Sequence, residues 1–313
     1  MSEAAPWQTL VPLKDKTLAP GDTVHFKRGG IWNGPLVITN SGREGSPITF
    51  TDYGTGAKPV IKGDPALSYR SAIEIKASWV VVENLFAQYA HEAGIRIGTG
   101  WYASGADYNI VRNCEATQAG TGVTVSGEHN LITGNYAHDL TMIINTPGGD
   151  DDYGAVGFWL YGPNNEVAYN RCVNCSATSY DYGRDGGVFE IYHNGDNSYV
   201  HHNWGENSNG FFEAGGDSTQ RTAQNVLFAY NVSYNNSSFA CLHTGGTFSL
   251  IVKNFRVENN TVVHTGSGGQ LFGCMSSFTS DTMSMRNNIF YTSATVFSNG
   301  GFTHENNLYY FLG

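Results

Sequence analysis

Residues Gly186–Gly216, GGVFEIYHNGDNSYVHHNWGENSNGFFEAGG, contain the same short strand twice. Gly187-Val-Phe-Glu-Ile191 and Gly210-Phe-Phe-Glu-Ala214 put Glu190 and Glu213 in matching places, 23 residues apart. Apolar residues alternate about each acid. Phe189 and Ile191 face one way and Glu190 the other, and Phe212 and Ala214 flank Glu213 in the same manner. One strand copy per period of roughly 20–30 residues is the pattern of a solenoid, in which each turn stacks on the last. Two carboxylates would then stand one above the other on an exposed sheet.

The pattern extends in both directions from that stretch. An apolar residue, two positions and then Asn recurs with the Asn at 84, 113, 135, 170, 203, 231, 260, 288 and 307. Stacked at a coil corner, their amides would hydrogen-bond above and below and pin the register. The shortest spacing, 19 residues, approximates a bare coil, so longer spacings must carry loops. The two longest, 135–170 and 170–203, are neighbours. Their surplus, about 138–152 and 175–185, falls just before the outward-facing strand. Aligned coil by coil, that strand gives an outward column of Glu74, Arg96, Thr124, Trp159, Glu190 and Glu213. Tyr161 lines up with Tyr192 one position pair on. The inward column is Ile73, Ile95, Val123, Phe158, Phe189 and Phe212, as a packed interior requires.

Composition agrees. The 313-residue chain has 39 glycines, only 14% charged residues and no capped amphipathic helix beyond a single turn, which suits tight-turned β structure. A net charge of −10 argues against nucleic acid as a partner. No apolar run reaches the roughly 18 residues of a membrane span. Met1-Ser-Glu-Ala-Ala-Pro6 reads as a mature start behind an added Met, so a secreted protein whose signal peptide has been removed is expected. The five cysteines are an odd number. Cys172-Val-Asn-Cys175 has no second pair at zinc spacing, and is expected to be buried or to form one local disulfide.

Residues 1–66 read as N-terminal capping coils before the regular coils of 67–313, within one domain. Their runs GDTVHFKRGGIWNGPLVI (21–38) and GSPITFTDYGTGAKPVI (45–61) resemble the first coils of bacterial right-handed parallel β-helix proteins of the pectate-lyase-like superfamily. The resemblance covers nearly the whole chain at the level of coil pattern. It implies an all-β fold, a right-handed parallel β-helix of about ten coils. It implies less about chemistry, because the superfamily includes lyases, hydrolases, epimerases and tailspikes. The ordered polygalacturonase motifs are not present, so no family catalytic residue is carried over. After Glu213 the acidic column stops, and Tyr309-Tyr-Phe-Leu-Gly313 ends the chain with no polar capping segment.

Between Asn145 and Asp217 there are eleven acidic residues and two basic ones, Arg171 and Arg184. Tyr153, Trp159, Tyr161, Tyr180, Tyr182 and Tyr192 interleave them. Carboxylates beside flat apolar faces suit a sugar-processing cleft, where rings stack on pyranoses and acids act at the glycosidic bond. Glu190 and Glu213 are the expected catalytic pair, with Asp152 or Asp185 as partners of Glu190 across a wider, inverting gap. Trp159, Tyr161, Tyr182, Arg184, Tyr192, His193, His243 and Arg96 are the expected substrate contacts. No cofactor is required by this reading. Asp150 and Asp151 would hold calcium, if any ion, through oxygen ligands. Trp32, Trp79 and Trp101 are expected to pack, and His201-His202 lack a third ligand.

Three functions fit. The first is an extracellular glycoside hydrolase acting on a polysaccharide or oligosaccharide. The second is a lyase or epimerase of uronic-acid polymers, which needs a cation or calcium to neutralise the carboxylate and a Tyr, His, Lys or Arg base. The third is a non-catalytic carbohydrate-binding β-helix.

Overall fold

A computed structural model describes residues 6–100, 105–218, 220–266, 269–274, 278–298 and 300–312. Trp101 lies outside them. The chain climbs through three parallel sheets that wrap one apolar interior. The first has eleven strands, from Thr23–Lys27 and Ile48–Tyr53 up to Met283–Arg286 and Thr303–Glu305, each paired in parallel with the coil before and after. The second runs from Ile31–Asn33 through Tyr136–His138, Arg171–Val173 and Trp204–Glu206 to Leu308–Phe311. The third runs from Leu36–Ile38 and Ile73–Ile75 through Val156–Leu160, Gly187–Tyr192, Phe212–Gly215 and Ala240–Leu242 to Phe272–Cys274. Phe86–Ile97 and Glu115–Val125 are long enough to bend from the second sheet into the third without a break, with a register shift between Ala119 and Thr121.

The third sheet has the columns expected of it. Ile73, Ile95, Val123, Phe158, Phe189 and Phe212 are successive register partners, all buried, and Ala240 and Phe272 continue the line. On the opposite face Glu74, Arg96, Thr124, Trp159, Glu190, Glu213 and Cys241 align. A period of two fixes this outcome once one residue of each strand is assigned inward.

The asparagine ladder differs from its expected extent. It runs through Asn135, Asn170, Asn203, Asn231, Asn260, Asn288 and Asn307, each backbone N–H donating to the next amide oxygen at 2.9–3.0 Å. Asn84 and Asn113 stand one residue early, at the left-handed corner position (φ +61° and +52°). Cys114 occupies the ladder site above Asn135 and donates its N–H to that amide. Asn tolerates the left-handed conformation better than most residues, so the same residue type serves two adjacent positions. A second ladder, not anticipated, joins Val80, Asn109, Asn130, Asn165 and Ser198.

The first coil pairs Thr23–Lys27 with Ile48–Tyr53, so regular stacking begins well inside residues 1–66. A single helical turn, Val11–Lys14, lies beyond it, with Leu10 in the core and Leu13 packed against it. No helix among the described residues is long and apolar enough to cross a membrane. Cys172 and Cys175 form a disulfide in the interior. Trp32 packs edge-on against Phe26, and Trp79 stacks on Tyr108 at a corner.

Candidate active site

Glu190 and Glu213 are register partners on adjacent parallel strands of the third sheet, which sets their Cα atoms about 4.8 Å apart. They lie on the floor of a cleft of about 600 Å³. Its walls are the two insertions, and both have folded into antiparallel hairpins. Met142–Ile144 pairs with Tyr153–Gly154, and Ala177–Ser179 with Gly183–Asp185.

The two hairpins are stitched together by acids. Asp152 accepts the Thr146 N–H (2.7 Å) on one oxygen, and the Ser179 hydroxyl (2.7 Å) and the Asp181 N–H (3.0 Å) on the other. Asp181 in turn accepts the N–H groups of Asp151 and Asp152. Burial pushes the Asp152 carboxyl up, but these donors outweigh it and hold its pKa below the ordinary aspartate value. Asp152 is therefore a brace in the cleft wall, with both oxygens occupied. Asp151, Asp152 and Asp181 bring oxygens within 4.8 Å of one another, whereas Asp150 instead accepts the Tyr182 hydroxyl at 2.8 Å. Asp152→Ala is expected to loosen both hairpins while the coils stay folded. Faster amide exchange confined to 142–154 and 177–185 would report this. Because the folded pKa of Asp152 is depressed, its contribution holds above the ordinary aspartate range and is lost only as pH falls through the lowered value.

Electrostatics separate the floor carboxylates. Desolvation raises Glu190 well above the ordinary glutamate value, with the charges of Glu213 and Asp185 adding to the effect and the Trp159 side chain opposing it. Asp185 is pushed up to about 7, again first by burial and then by Glu213 and Asp152. Glu213 remains 46% exposed at its side chain and takes a 2.6 Å hydrogen bond from His243 Nε2.

The chain is similar to solved structures of one architecture. An alginate lyase from Paenibacillus sp. str. FPU-7 superposes with a TM-score of 0.65 at 14% identity, over 96% of this chain and 97% of that one. A GH136 lacto-N-biosidase from Eubacterium ramulus gives 0.56 at 14% identity, over 99% of this chain and 65% of that one. The tailspike protein of E. coli bacteriophage HK620, solved with a pentasaccharide, gives 0.53 at 12% identity, over 92% of this chain and 59% of that one. The chain is a right-handed parallel β-helix. No protein-family model matches it, and no curated protein sequence does.

Of the residues expected from sequence, the β-helix brings Glu190, Glu213, Asp150, Asp151, Asp152, Asp185, Trp159, Tyr161, Tyr182, Arg184, Tyr192 and His243 to one cleft. Two others are elsewhere. Arg96 faces outward in the column, yet it is buried and ion-paired with Glu92 (i−4), beyond the cleft. His193 takes a left-handed φ of +79°, is 2% exposed and faces Asp217 at 3.3 Å. Trp159 and Tyr161 point outward but are covered, forming a satellite cluster with Ile143 and Val156 under the first hairpin. Tyr182, 45% exposed, is the open ring of the wall. Its hydroxyl pKa is raised, first by desolvation and then by its hydrogen bond to Asp150. Sequence reasoning did not single out Cys241, Asn209 or Phe248, which also line the cleft. Cys241 was findable, since it follows Glu213 in the outward column. His201 and His202 are structural: His201 pairs with Glu166 at 3.0 Å, and His202 stacks between Tyr169 and Tyr230.

Proposed function

We propose that this β-helix is a glycoside hydrolase in which Glu190 is the general acid and Glu213 the partner carboxylate. The observation that carries the reading is Glu190 itself, a desolvated carboxyl on a cleft floor, flanked by Asp185 and Glu213 and so kept protonated above the usual range. Glu190 gives its proton to the glycosidic oxygen while a Glu213 oxygen attacks the anomeric carbon and the bond to the leaving sugar breaks. Water then attacks that carbon, returns a proton to Glu190 and releases Glu213. The one-coil spacing suits the ~5–5.5 Å separation of a retaining pair. His243, donating to Glu213 Oε1, orients the nucleophile.

The fold is shared with an alginate lyase, a lacto-N-biosidase and a tailspike solved with a pentasaccharide, which supports a glycan as substrate. Elimination from a uronate fits the cleft less well. Among the described lining residues Arg184 is the sole Lys or Arg, set against six carboxylates. Tyr182 is held protonated by desolvation and then by its hydrogen bond to Asp150, and His193 is off the cleft. Incubation with neutral and acidic glycans, with and without chelator, tests the reading. New reducing ends without unsaturated products are expected, with the anomeric configuration retained by NMR. Unsaturated ends would replace the hydrolase with a lyase, and a chelator-sensitive one would give calcium a role. An inverted product would pass the second carboxylate's role to Asp185 acting on water.

Asp185 adds to the alkaline limit that desolvation and Glu213 first raise. Its ionised form raises Glu190, so Asp185→Asn lowers the Glu190 pKa and is expected to move the alkaline limb of kcat/KM to lower pH. Stability shows the same group with a definite sign. The folded pKa is raised, so its contribution is complete below the ordinary value of 3.8 and is lost as pH rises through about 7. Asp185→Asn should flatten that decline in Tm.

A further inference from the structure

We propose that Glu213, Cys241 and His243 form a binding site for a thiophilic divalent cation, zinc in the first instance. Glu213 and Cys241 are register partners on neighbouring strands, and His243 lies two residues beyond Cys241 on the same outward face. The sheet thus presents one oxygen, one sulfur and one imidazole donor side by side. Their ligand atoms all lie within 4.8 Å of one another. Nε2 of His243 is 2.6 Å from Glu213 Oε1 and 3.3 Å from Cys241 Sγ.

That convergence is more than one proton can serve. Nε2 has a single in-plane direction for a proton or a lone pair, yet two groups are drawn up to it. A cation satisfies all three at once. Tetrahedral zinc with bonds of about 2.0–2.1 Å to N and O and about 2.3 Å to S needs its ligand atoms roughly 3.3–3.6 Å apart. The sulfur–nitrogen spacing falls short of its tetrahedral value by only about 0.3 Å, and the Glu213–His243 pair must open by less than about 1 Å. The imidazole is largely buried, and Nε2 is the nitrogen that approaches both Glu213 Oε1 and Cys241 Sγ. A mixed S, N, O set favours zinc over calcium, which takes oxygen ligands. The fourth position opens into the cleft, where a water or a sugar hydroxyl reaches it.

The site is distinct from the Asp151, Asp152 and Asp181 cluster, whose carboxylates are engaged by backbone and hydroxyl donors. Cys114 does not compete, because burial pushes its thiol up to about 12. Zinc on Glu213 Oε1 would also inhibit the hydrolysis proposed above, but the binding stands whether or not that reaction occurs.

The test uses the whole chain, freed of metal and kept reduced with a phosphine. Titration with Zn²⁺ should show one equivalent bound, and Co²⁺ should give a thiolate-to-metal charge-transfer band. Cys241→Ser should abolish the band and weaken zinc by about 100-fold or more. His243→Ala should weaken it comparably. A second measurement needs no variant: Zn²⁺ should slow iodoacetamide alkylation of Cys241, read by mass spectrometry, and Ca²⁺ should not. Absence of zinc binding, zinc binding unchanged in Cys241→Ser, or alkylation of Cys241 indifferent to zinc would each overturn the proposal.

Discussion

Glu190→Gln and Glu213→Gln should each lower glycan hydrolysis by about 10³-fold, within the range that a positioned acid or base contributes. The losses should differ in kind. The amide introduced by Glu190→Gln keeps the shape of the floor but has no acidic proton, so departure of a poor leaving group suffers most. A substrate with an activated aryl leaving group needs little protonation and should recover much of the rate in Glu190→Gln but none in Glu213→Gln. Removing Glu213 also removes one of the charges that raise Glu190, so any residual alkaline limb should move to lower pH. Both changes are near-isosteric and lie outside the packed interior, so Tm should change little. Near-normal turnover in both variants would exclude the pair as catalysts and leave the cleft as a binding surface.

How much of this was legible beforehand follows from which physical rule governs each residue. Sheet alternation is local, and it placed Phe189 inward and Glu190 outward from five residues of sequence. The cleft was legible for a related reason: two adjacent long spacings must put their loops over the same strands, as the hairpins at 142–154 and 177–185 do. What a loop side chain bonds to is not local. Nothing in Asp150-Asp-Asp152 distinguishes the member that accepts Thr146, Ser179 and Asp181 from the one that accepts a tyrosine hydroxyl. Outward also did not mean exposed. Trp159 is 4% accessible because Ile143 and its hairpin fold over it, and Arg96 is buried with Glu92. His193 left the cleft when its backbone turned left-handed just past the strand end. The ladder was read one residue early at 84 and 113, because Asn also suits the corner beside it.

That ambiguity yields the largest expected effect on stability. Asn203 donates from Nδ2 to the Val167 carbonyl (2.9 Å) and to Asn231 Oδ1 (3.0 Å), and its own Oδ1 accepts the backbone N–H of Asn170 (2.9 Å). All of this is buried. Asn203→Ala strands the Asn170 N–H away from water, at about 1–3 kcal/mol, and forfeits the amide's bonds to Val167 and Asn231, at about 0.5–1.5 kcal/mol each, so a loss of about 2–6 kcal/mol is expected in denaturant unfolding. Asn84 has the same sequence context but stands at the corner, half-buried, with Nδ2 donating to Asp52. Its replacement by Ala removes that one bond and puts Ala at a positive φ, for about 1–2 kcal/mol. Serine already serves as the acceptor for Asn165 and Cys175 in neighbouring ladders. Asn203→Ser should therefore recover the bond to Asn170 but not the one to Val167, and fall between the wild type and Asn203→Ala. Equal losses for Asn84→Ala and Asn203→Ala would mean that the stacked amides do not hold the coils in register, and that interior packing alone does.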